Sequence, residues 1–461
     1  MALRIVLLSG GSGKRLWPLS NEVRSKLFLK LLPSESGGNQ SMIQRVCGQL
    51  EEAGLLPETT IVAQASQAEM FQSQVGDKLC MVAEPCRRGT FTAVALAAAY
   101  LHDKLGVAPE ETVCVMPADL YVEAAFFTVL KRFPDYLSQS GTELALLGTL
   151  PDHPSSQFGY IVPEKSDEAA AAKGYLPIVQ FVEKPDEAHA ARLIASHAMW
   201  NCGVFAFPLS FMLSILGSRG LPAGYDDLLG RYTQLPDASF DVEVAEKTAH
   251  SVVIPYEKGW SDLGDWRVFT EYLGSSVIGL GEISGGSVQS HVVNELACPI
   301  RLIGVSNVIV AASAEGILVA DKGKANQIKQ LLGGSPEHPM SGEKRWGTYR
   351  ILDYSKTDAA AESLTKKIDL LPGKHTSYHL HAHRKETLVI LSGTGTFVYE
   401  DKLASISAGD VLHIPAGAKH AVQAASLLAY LAIQIGADLT REDVQRIAVT
   451  WTDIVSRCAN P

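Results

Sequence analysis

The 461-residue chain has no apolar run near the roughly 20 residues needed to cross a bilayer, which argues against a membrane protein. It has no Lys/Arg block either. With 40 Lys and Arg against 50 Asp and Glu, the formal charge is −10, and this balance argues against a nucleic-acid-binding face. No repeat recurs at solenoid periods. The seven cysteines (47, 80, 86, 114, 202, 298 and 458) are odd in number, scattered and never spaced Cys-x-x-Cys. Neither a disulfide framework nor a cysteine-based zinc site is therefore indicated, and buried thiols are expected. The first residues read as a buried strand running into a glycine-rich loop, without the pattern of a signal peptide, so a cytoplasmic protein is expected.

What is present divides the chain into stretches of different texture. Apolar runs at 4–8, 60–63, 112–116, 143–149, 178–182, 203–207 and 251–255 predict strands, and 41–53, 92–104 and 186–196 predict helices. This alternation predicts an α/β domain over residues 1–273, Rossmann-like, with a mostly parallel sheet and ligands at the carboxyl ends of its strands. Residues 274–335, rich in Gly, Ser, Val and Ile, read as a small β-rich linker domain with runs at 306–312 and 316–320. Gly333-Gly334-Ser335-Pro336 and Pro339 mark a boundary. Beyond it, β-like runs punctuated by Gly and Pro predict an all-β barrel over 345–440, with a tail at 441–461.

Directly after the first strand, Ser9 to Ser20 reads Ser-Gly-Gly-Ser-Gly-Lys-Arg-Leu-Trp-Pro-Leu-Ser. Glycines without Cβ atoms let backbone N–H groups approach phosphate oxygens, while Lys14, Arg15 and the later Lys26 supply positive charge. This is not a Walker A loop, because Leu8 and Arg15 occupy its glycine and Ser/Thr positions, and Leu16 breaks the Rossmann fingerprint. The plain alternative is an ordinary strand-to-helix turn.

Further strings follow in order: Glu84-Pro85 with Arg88 and Thr90, Met116-Pro117-Ala118-Asp119, Phe158-Gly159-Tyr160-Ile161, Phe181-Val182-Glu183-Lys184-Pro185, Trp200-Asn201-Cys202-Gly203, and Gly259-Trp260-Ser261-Asp262-Leu263-Gly264-Asp265-Trp266. Together they resemble the signature of the sugar-phosphate nucleotidylyltransferases, specifically the mannose-1-phosphate guanylyltransferases. The resemblance covers the whole chain, because long bacterial members carry a carboxyl-terminal cupin domain and some are also phosphomannose isomerases. It implies a GT-A-like fold that transfers a nucleotidyl group from GTP to mannose 1-phosphate, giving GDP-mannose and pyrophosphate.

The resemblance also implies roles. Arg15, Lys26, Asp119 and Asp262 would be catalytic, with Asp119 and Asp262 holding Mg²⁺, a hard cation suited to oxygen ligands. Gly10, Gly11, Ser12, Gly13, Lys14, Glu84, Arg88 and Thr90 would bind the nucleotide, and Gly159, Glu183, Lys184 and Asn201 the sugar phosphate. Adjacent strand residues face opposite ways, so Glu183 and Lys184 reach one ligand only if the strand ends or kinks near Pro185. Three departures lie around this pocket: Ser25-Lys26-Leu27 for the family's Pro-Lys-Gln, Arg88-Gly89-Thr90 for Arg-Asn-Thr, and Leu120 for a His. They leave open another triphosphate such as CTP, another sugar phosphate, or a nucleotide-sugar-binding regulator without turnover. The expected partners are a nucleoside triphosphate and a sugar 1-phosphate, without nucleic acid or membrane, and a homodimer is left open.

Near the carboxyl end, Gly373-(five residues)-His379-Leu380-His381-(four)-Glu386-(six)-Gly393 and Gly409-(five)-Pro415-Ala416-Gly417-(two)-His420 resemble the two cupin motifs. His379 and His381 share one strand face, and Glu386 and His420 can complete a metal site for Zn²⁺, Fe²⁺, Mn²⁺ or Ni²⁺. Arg384 fits the Arg of the isomerase motif H-R-x-E, a candidate for binding substrate phosphate or helping proton transfer. Thr387-Leu388 stands where those isomerases have His-Trp, so this activity is left open.

Overall fold

The computed structural model describes residues 2–10, 14–21, 23–164, 173–332, 339–358, 361–437, 439 and 443–459. Gly11, Ser12, Gly13, the side chain of Lys14 and the boundary at 333–336 lie outside them. The chain forms two compact units, one of Met1–Gly13, Ser25–Ala68 and Gln74–Gly274, the other of Lys14–Arg24, Glu69–Ser73 and Ser275–Pro461. No helix among the described residues is long and apolar enough to cross a membrane.

In chain order the first unit carries β1 (Leu3–Leu8), α1 (Met42–Glu52), β2 (Thr59–Gln64), β3 (Cys80–Glu84), α2 (Gly89–Asp103), β4 (Thr112–Pro117), β5 (Leu120–Val122), β6 (Leu144–Thr149) and β7 (Tyr160–Pro163). Next come β8 (Leu176–Val182), α3 (Glu187–Ala195), β9 (Met199–Pro208), α4 (Leu209–Ser218), α5 (Phe240–Glu243), β10 (Ser251–Pro255) and β11 (Trp260–Asp262). Every strand and helix predicted in this part of the sequence is present. Nine strands form one sheet in the order β3-β2-β1-β4-β9-β6-β10-β8-β7. It is parallel from β3 to β4 and between β6 and β10, whereas β9 runs antiparallel to both neighbours and β8 to both of its own.

Burial explains the continuous apolar runs. Strands covered on both faces have no solvent face to alternate toward, and Ile5, Val6 and Leu7 are all fully buried. α2 is buried from Phe91 to Ala99, so its composition is apolar on all sides. Ser41 and Gln44 form a reciprocal capping box that fixes the start of α1. The parallel register places Leu8, Gln64, Glu84 and Pro117 along one edge, the carboxyl ends of β1 to β4.

In the second unit, Val277–Gly279, His291–Asn294 and Val308–Ser313 pair in parallel, and Gly316–Asp321 closes that sheet antiparallel. Arg24 grips Glu295 through both terminal guanidinium nitrogens, at 2.8 and 2.7 Å. The barrel region consists of a six-stranded and a five-stranded sheet whose inner faces share a core including Leu370, Leu388, Phe397, Ile406 and Val422. The segment read from sequence as a tail is part of this architecture. Val444–Ala448 pairs with Tyr378–His381, and α6 (Trp451–Ala459) buries Ile454 against Tyr378, Val398 and Ala421.

Candidate functional site

Asp119 follows β4, where Ala118 is pinned by its N–H to the Leu8 carbonyl at 3.0 Å. The next strand, β5, pairs antiparallel with β11 in a register that sets Leu120 opposite Asp262. Two carboxylates far apart in sequence thereby converge on Lys26. Its Nζ lies 2.8 Å from Asp119 Oδ2 and 2.9 Å from Asp262 Oδ1. Burial pulls the Lys26 ammonium down, but the two carboxylates outweigh it and hold the group above its ordinary range. Burial and Asp262 push the Asp119 carboxyl up against the opposing pull of Lys26. One cation against two anions leaves net negative charge on oxygen donors, a set that suits a hard divalent cation.

A pocket of about 120 Å³ opens at the strand ends, lined by Leu8, Ser9, Gly10, Glu84, Arg88 and Thr90 among others. Glu84 is buried and accepts a hydrogen bond from the Tyr232 hydroxyl. Burial raises both groups above their ordinary values. Arg88 donates to the Thr233 carbonyl, and the Thr90 hydroxyl accepts from Phe240 N–H at 2.8 Å. These contacts tie segment 233–240 across the start of α2, where Phe91 N–H also bonds the Ala238 carbonyl at 3.0 Å. Gly89 has φ +72°, and a Cβ there would lie 2.2 Å from the Ala238 oxygen. The departure Arg-Gly-Thr thus has a local reason: backbone occupies the space a side chain would need.

Gly159, Glu183 and Asn201 meet on β7, β8 and β9 and the segments beside them. A Cβ at Gly159 would lie 2.6 Å from Glu183 Oε2. The strand-end condition for Glu183 and Lys184 is met, since β8 stops at Val182 and Lys184 has φ 47°, which turns its ammonium back onto Glu183. Glu183 is 11% exposed and Lys184 59%, so the carboxylate is held while the cation faces solvent. Asn201 sits where the β9 ladder with β6 breaks register, and its Oδ1 accepts from Gly203 N–H at 3.0 Å. Its Nδ2 donates to Asp241 at 2.8 Å.

Arg15, in the turn Lys14–Leu16, belongs to the second unit, where burial and then the Arg15 charge hold Lys329 below its ordinary range. Tyr232 and Asp241 were not singled out from sequence. Neither stands in a recognisable string, and the usable signal was that a buried Glu84 and Asn201 need partners from elsewhere.

In the barrel, His379 lies opposite His420 across a strand pair, and the ring centroids of His379, His381 and His420 are 4.4 to 5.4 Å apart. Their ligand atoms lie within 4.8 Å of one another. Glu386 Oε2 is 3.1 Å from His420 Nε2 and 3.6 Å from His381 Nε2, and Gln434 donates to its other oxygen. Burial would raise the Glu386 carboxyl, but the two imidazoles hold it well below its usual range. Burial and the neighbouring rings push His379 down to about 3.

His379 Nδ1 lies 2.7 Å from the Ser377 carbonyl and donates to it, which leaves its Nε2 lone pair free, while His420 Nδ1 lies 3.1 Å from the Ala418 carbonyl and its Nε2 faces Glu386. His381 differs. Arg384 Nη2 lies 3.0 Å from its Nδ1, and a guanidinium only donates, so a neutral His381 carries its proton on Nε2. Arg384 is itself buried between His381 and Asp443.

Residues 4–274 match the family model described as nucleotidyl transferase, and 367–433 the cupin domain. The chain is 29% identical to the mannose-1-phosphate guanylyltransferase ManC of Salmonella typhimurium, over 96% of each protein. It is 27% identical to the alginate biosynthesis protein AlgA of Pseudomonas aeruginosa, over 99% of this chain and 98% of that one. A solved structure described as a mannose-1-phosphate geranyltransferase from Thermus thermophilus is similar at a TM-score of 0.58 and 26% identity, covering 72% of this chain and 98% of that one.

Proposed function

The chain belongs to the nucleotidyl transferase family, and from that premise we propose that it joins GTP to mannose 1-phosphate, releasing pyrophosphate and GDP-mannose. The observation that carries this reading is the convergence of Asp119, Asp262 and Lys26 beside the strand-end pocket. A phosphate oxygen of the sugar 1-phosphate attacks the α-phosphorus, a new P–O bond forms, and the bond to the β-phosphate oxygen breaks as pyrophosphate leaves. No covalent protein intermediate is needed, so the protein's work is alignment and charge neutralisation. Asp119 and Asp262 would hold Mg²⁺, which when bound supplies positive charge to the crowded phosphates.

Lys26 keeps the two aspartates in place and adds fixed positive charge to the site. Glu84 supports guanine, because a carboxylate is an acceptor only and suits the N1–H and amino edge of that base. Glu183 and Asn201 read sugar hydroxyls, and Lys184, exposed and turned back at the strand end, meets the sugar phosphate. Arg15 keeps the role implied by the resemblance, a countercharge for pyrophosphate, which Arg15→Ala tests as a fall in turnover. The deciding experiment is pyrophosphate release across four nucleoside triphosphates and a panel of sugar 1-phosphates. Fastest release with GTP and mannose 1-phosphate is expected; preference for CTP or another sugar would overturn the substrates, and no release with any pair would favour a binding protein.

In the barrel we propose one divalent transition metal, such as Zn²⁺, on His379, His381, His420 and Glu386. The nitrogen-rich donor set supports this choice over Mg²⁺. Arg384 is turned inward, so the arrangement supports the metal more directly than a phosphomannose isomerase, which an exchange assay with mannose 6-phosphate addresses.

A further inference from the structure

Asn201 has a carboxamide held at both ends, by Gly203 N–H on its oxygen and by Asp241 on its nitrogen. Only one Nδ2 proton and one Oδ1 lone pair remain for a ligand. Asp241 stands on α5, directly after Phe240, whose N–H is fixed to the Thr90 hydroxyl, and that segment is further tied to α2 by Thr92 Oγ1 donating to the Pro236 carbonyl at 2.8 Å. The same stretch of backbone therefore borders the nucleotide pocket at Thr90 and reaches the sugar residues at Asp241.

We propose that Asp241 is a positioning residue of the sugar site, holding the Asn201 carboxamide in register with the nucleotide pocket so that its free N–H and the Glu183 carboxylate address sugar hydroxyls. The proposal rests on the assignment of Glu183 and Asn201 to the sugar phosphate. In-line transfer requires both substrates to be placed against one another within fractions of an ångström, and a shared anchoring segment supplies that common reference. Two carboxylates close together also favour a ligand rich in O–H donors, which relieves their mutual repulsion.

The charged groups facing Asp241 are Glu183 and Lys184 from the end of β8, with Asn201 from β9 as its hydrogen-bond donor. Burial, then the Glu183 charge, push the Asp241 carboxyl up to about 6. Protonation removes charge from the acceptor that fixes Asn201, so sugar-phosphate binding should weaken as pH falls through this value.

The test is steady-state pyrophosphate release by the full chain with GTP and mannose 1-phosphate. Asp241→Ala should raise KM for mannose 1-phosphate roughly 10-fold while KM for GTP and kcat stay within about threefold. Asp241→Asn keeps an acceptor for Asn201, so its KM should stay within about threefold of wild type near neutral pH and lose the acid-side rise. In an Asn201→Ala background, Asp241→Ala should add less than about twofold, because the group it positions is gone. A full additional effect there, or equal KM increases for both substrates, would overturn the proposal. If Asn201→Ala raises the sugar KM and Asp241→Ala does not, the positioning role alone falls. If Asn201→Ala leaves the sugar KM unchanged, the sugar-site assignment falls and takes the proposal with it.

Discussion

Leu120 stands opposite Asp262 in the short antiparallel ladder of β5 and β11, and this one register delivers Asp262 to Lys26 beside Asp119. Side-chain period two makes the placement sensitive, since a one-residue slip would turn Asp262 to the other face. The two carboxylates are therefore held by backbone pairing as well as by the lysine between them.

Asp119→Asn and Asp262→Asn each remove one charge while keeping size. Turnover should fall at least about 100-fold, equivalent to about 2.7 kcal/mol of transition-state stabilisation, with the circular dichroism spectrum unchanged. Near-normal turnover in both variants would remove these residues from the chemistry.

Glu84→Gln replaces an acceptor by a group that also donates. Discrimination for GTP over the other triphosphates, measured as the ratio of kcat/KM values, should drop by roughly 10-fold or more. Tyr232→Phe, which removes the hydroxyl that occupies one Glu84 oxygen, should have a smaller effect of the same sign.

Gly89→Ala should destabilise the protein, because the new Cβ meets the Ala238 oxygen at 2.2 Å and the backbone stays at positive φ. A loss of about 1–3 kcal/mol is expected in denaturant unfolding. Gly217→Ala in α4 is the control: no atom lies within 4 Å of its Cβ position, and the change should be neutral or mildly stabilising.

Arg384→Gln offers His381 Nδ1 an acceptor in place of a donor, which frees the Nε2 lone pair. Transition-metal affinity, followed by calorimetry with Zn²⁺, should rise by about 10-fold, whereas His420→Ala should lose the metal. Neither change should alter nucleotidyl transfer by more than about twofold, since the two sites use different residues. Weaker metal binding by Arg384→Gln would show that the guanidinium supports the site.

Much of this was legible before folding. The strands from Leu3–Leu8 to Ser251–Pro255 announced themselves because doubly covered strands are continuously apolar, and the His379 and His381 pairing follows from strand alternation. The glycine string before Lys14 was equally visible, but Gly11 to Gly13 lie outside the described residues. Tyr232, Asp241, Gln434 and Asp443 were not legible, because a single buried polar residue has no sequence pattern and is defined only by the partner it meets.

The sequence by itself determined the element types, the α/β and all-β halves and the residue chemistry at each candidate site, since these depend on local periodicity and on side-chain functional groups. Only the tertiary structure decided which groups share a charge or a proton. It set Lys26 between two carboxylates, spent Arg88 and Thr90 on the segment that carries Asp241, gave Arg384 to His381, and made the supposed tail a strand and helix of the barrel. Strand register, burial and long-range hydrogen bonding join residues far apart in the chain, and none of these is written in the local pattern around any one of them.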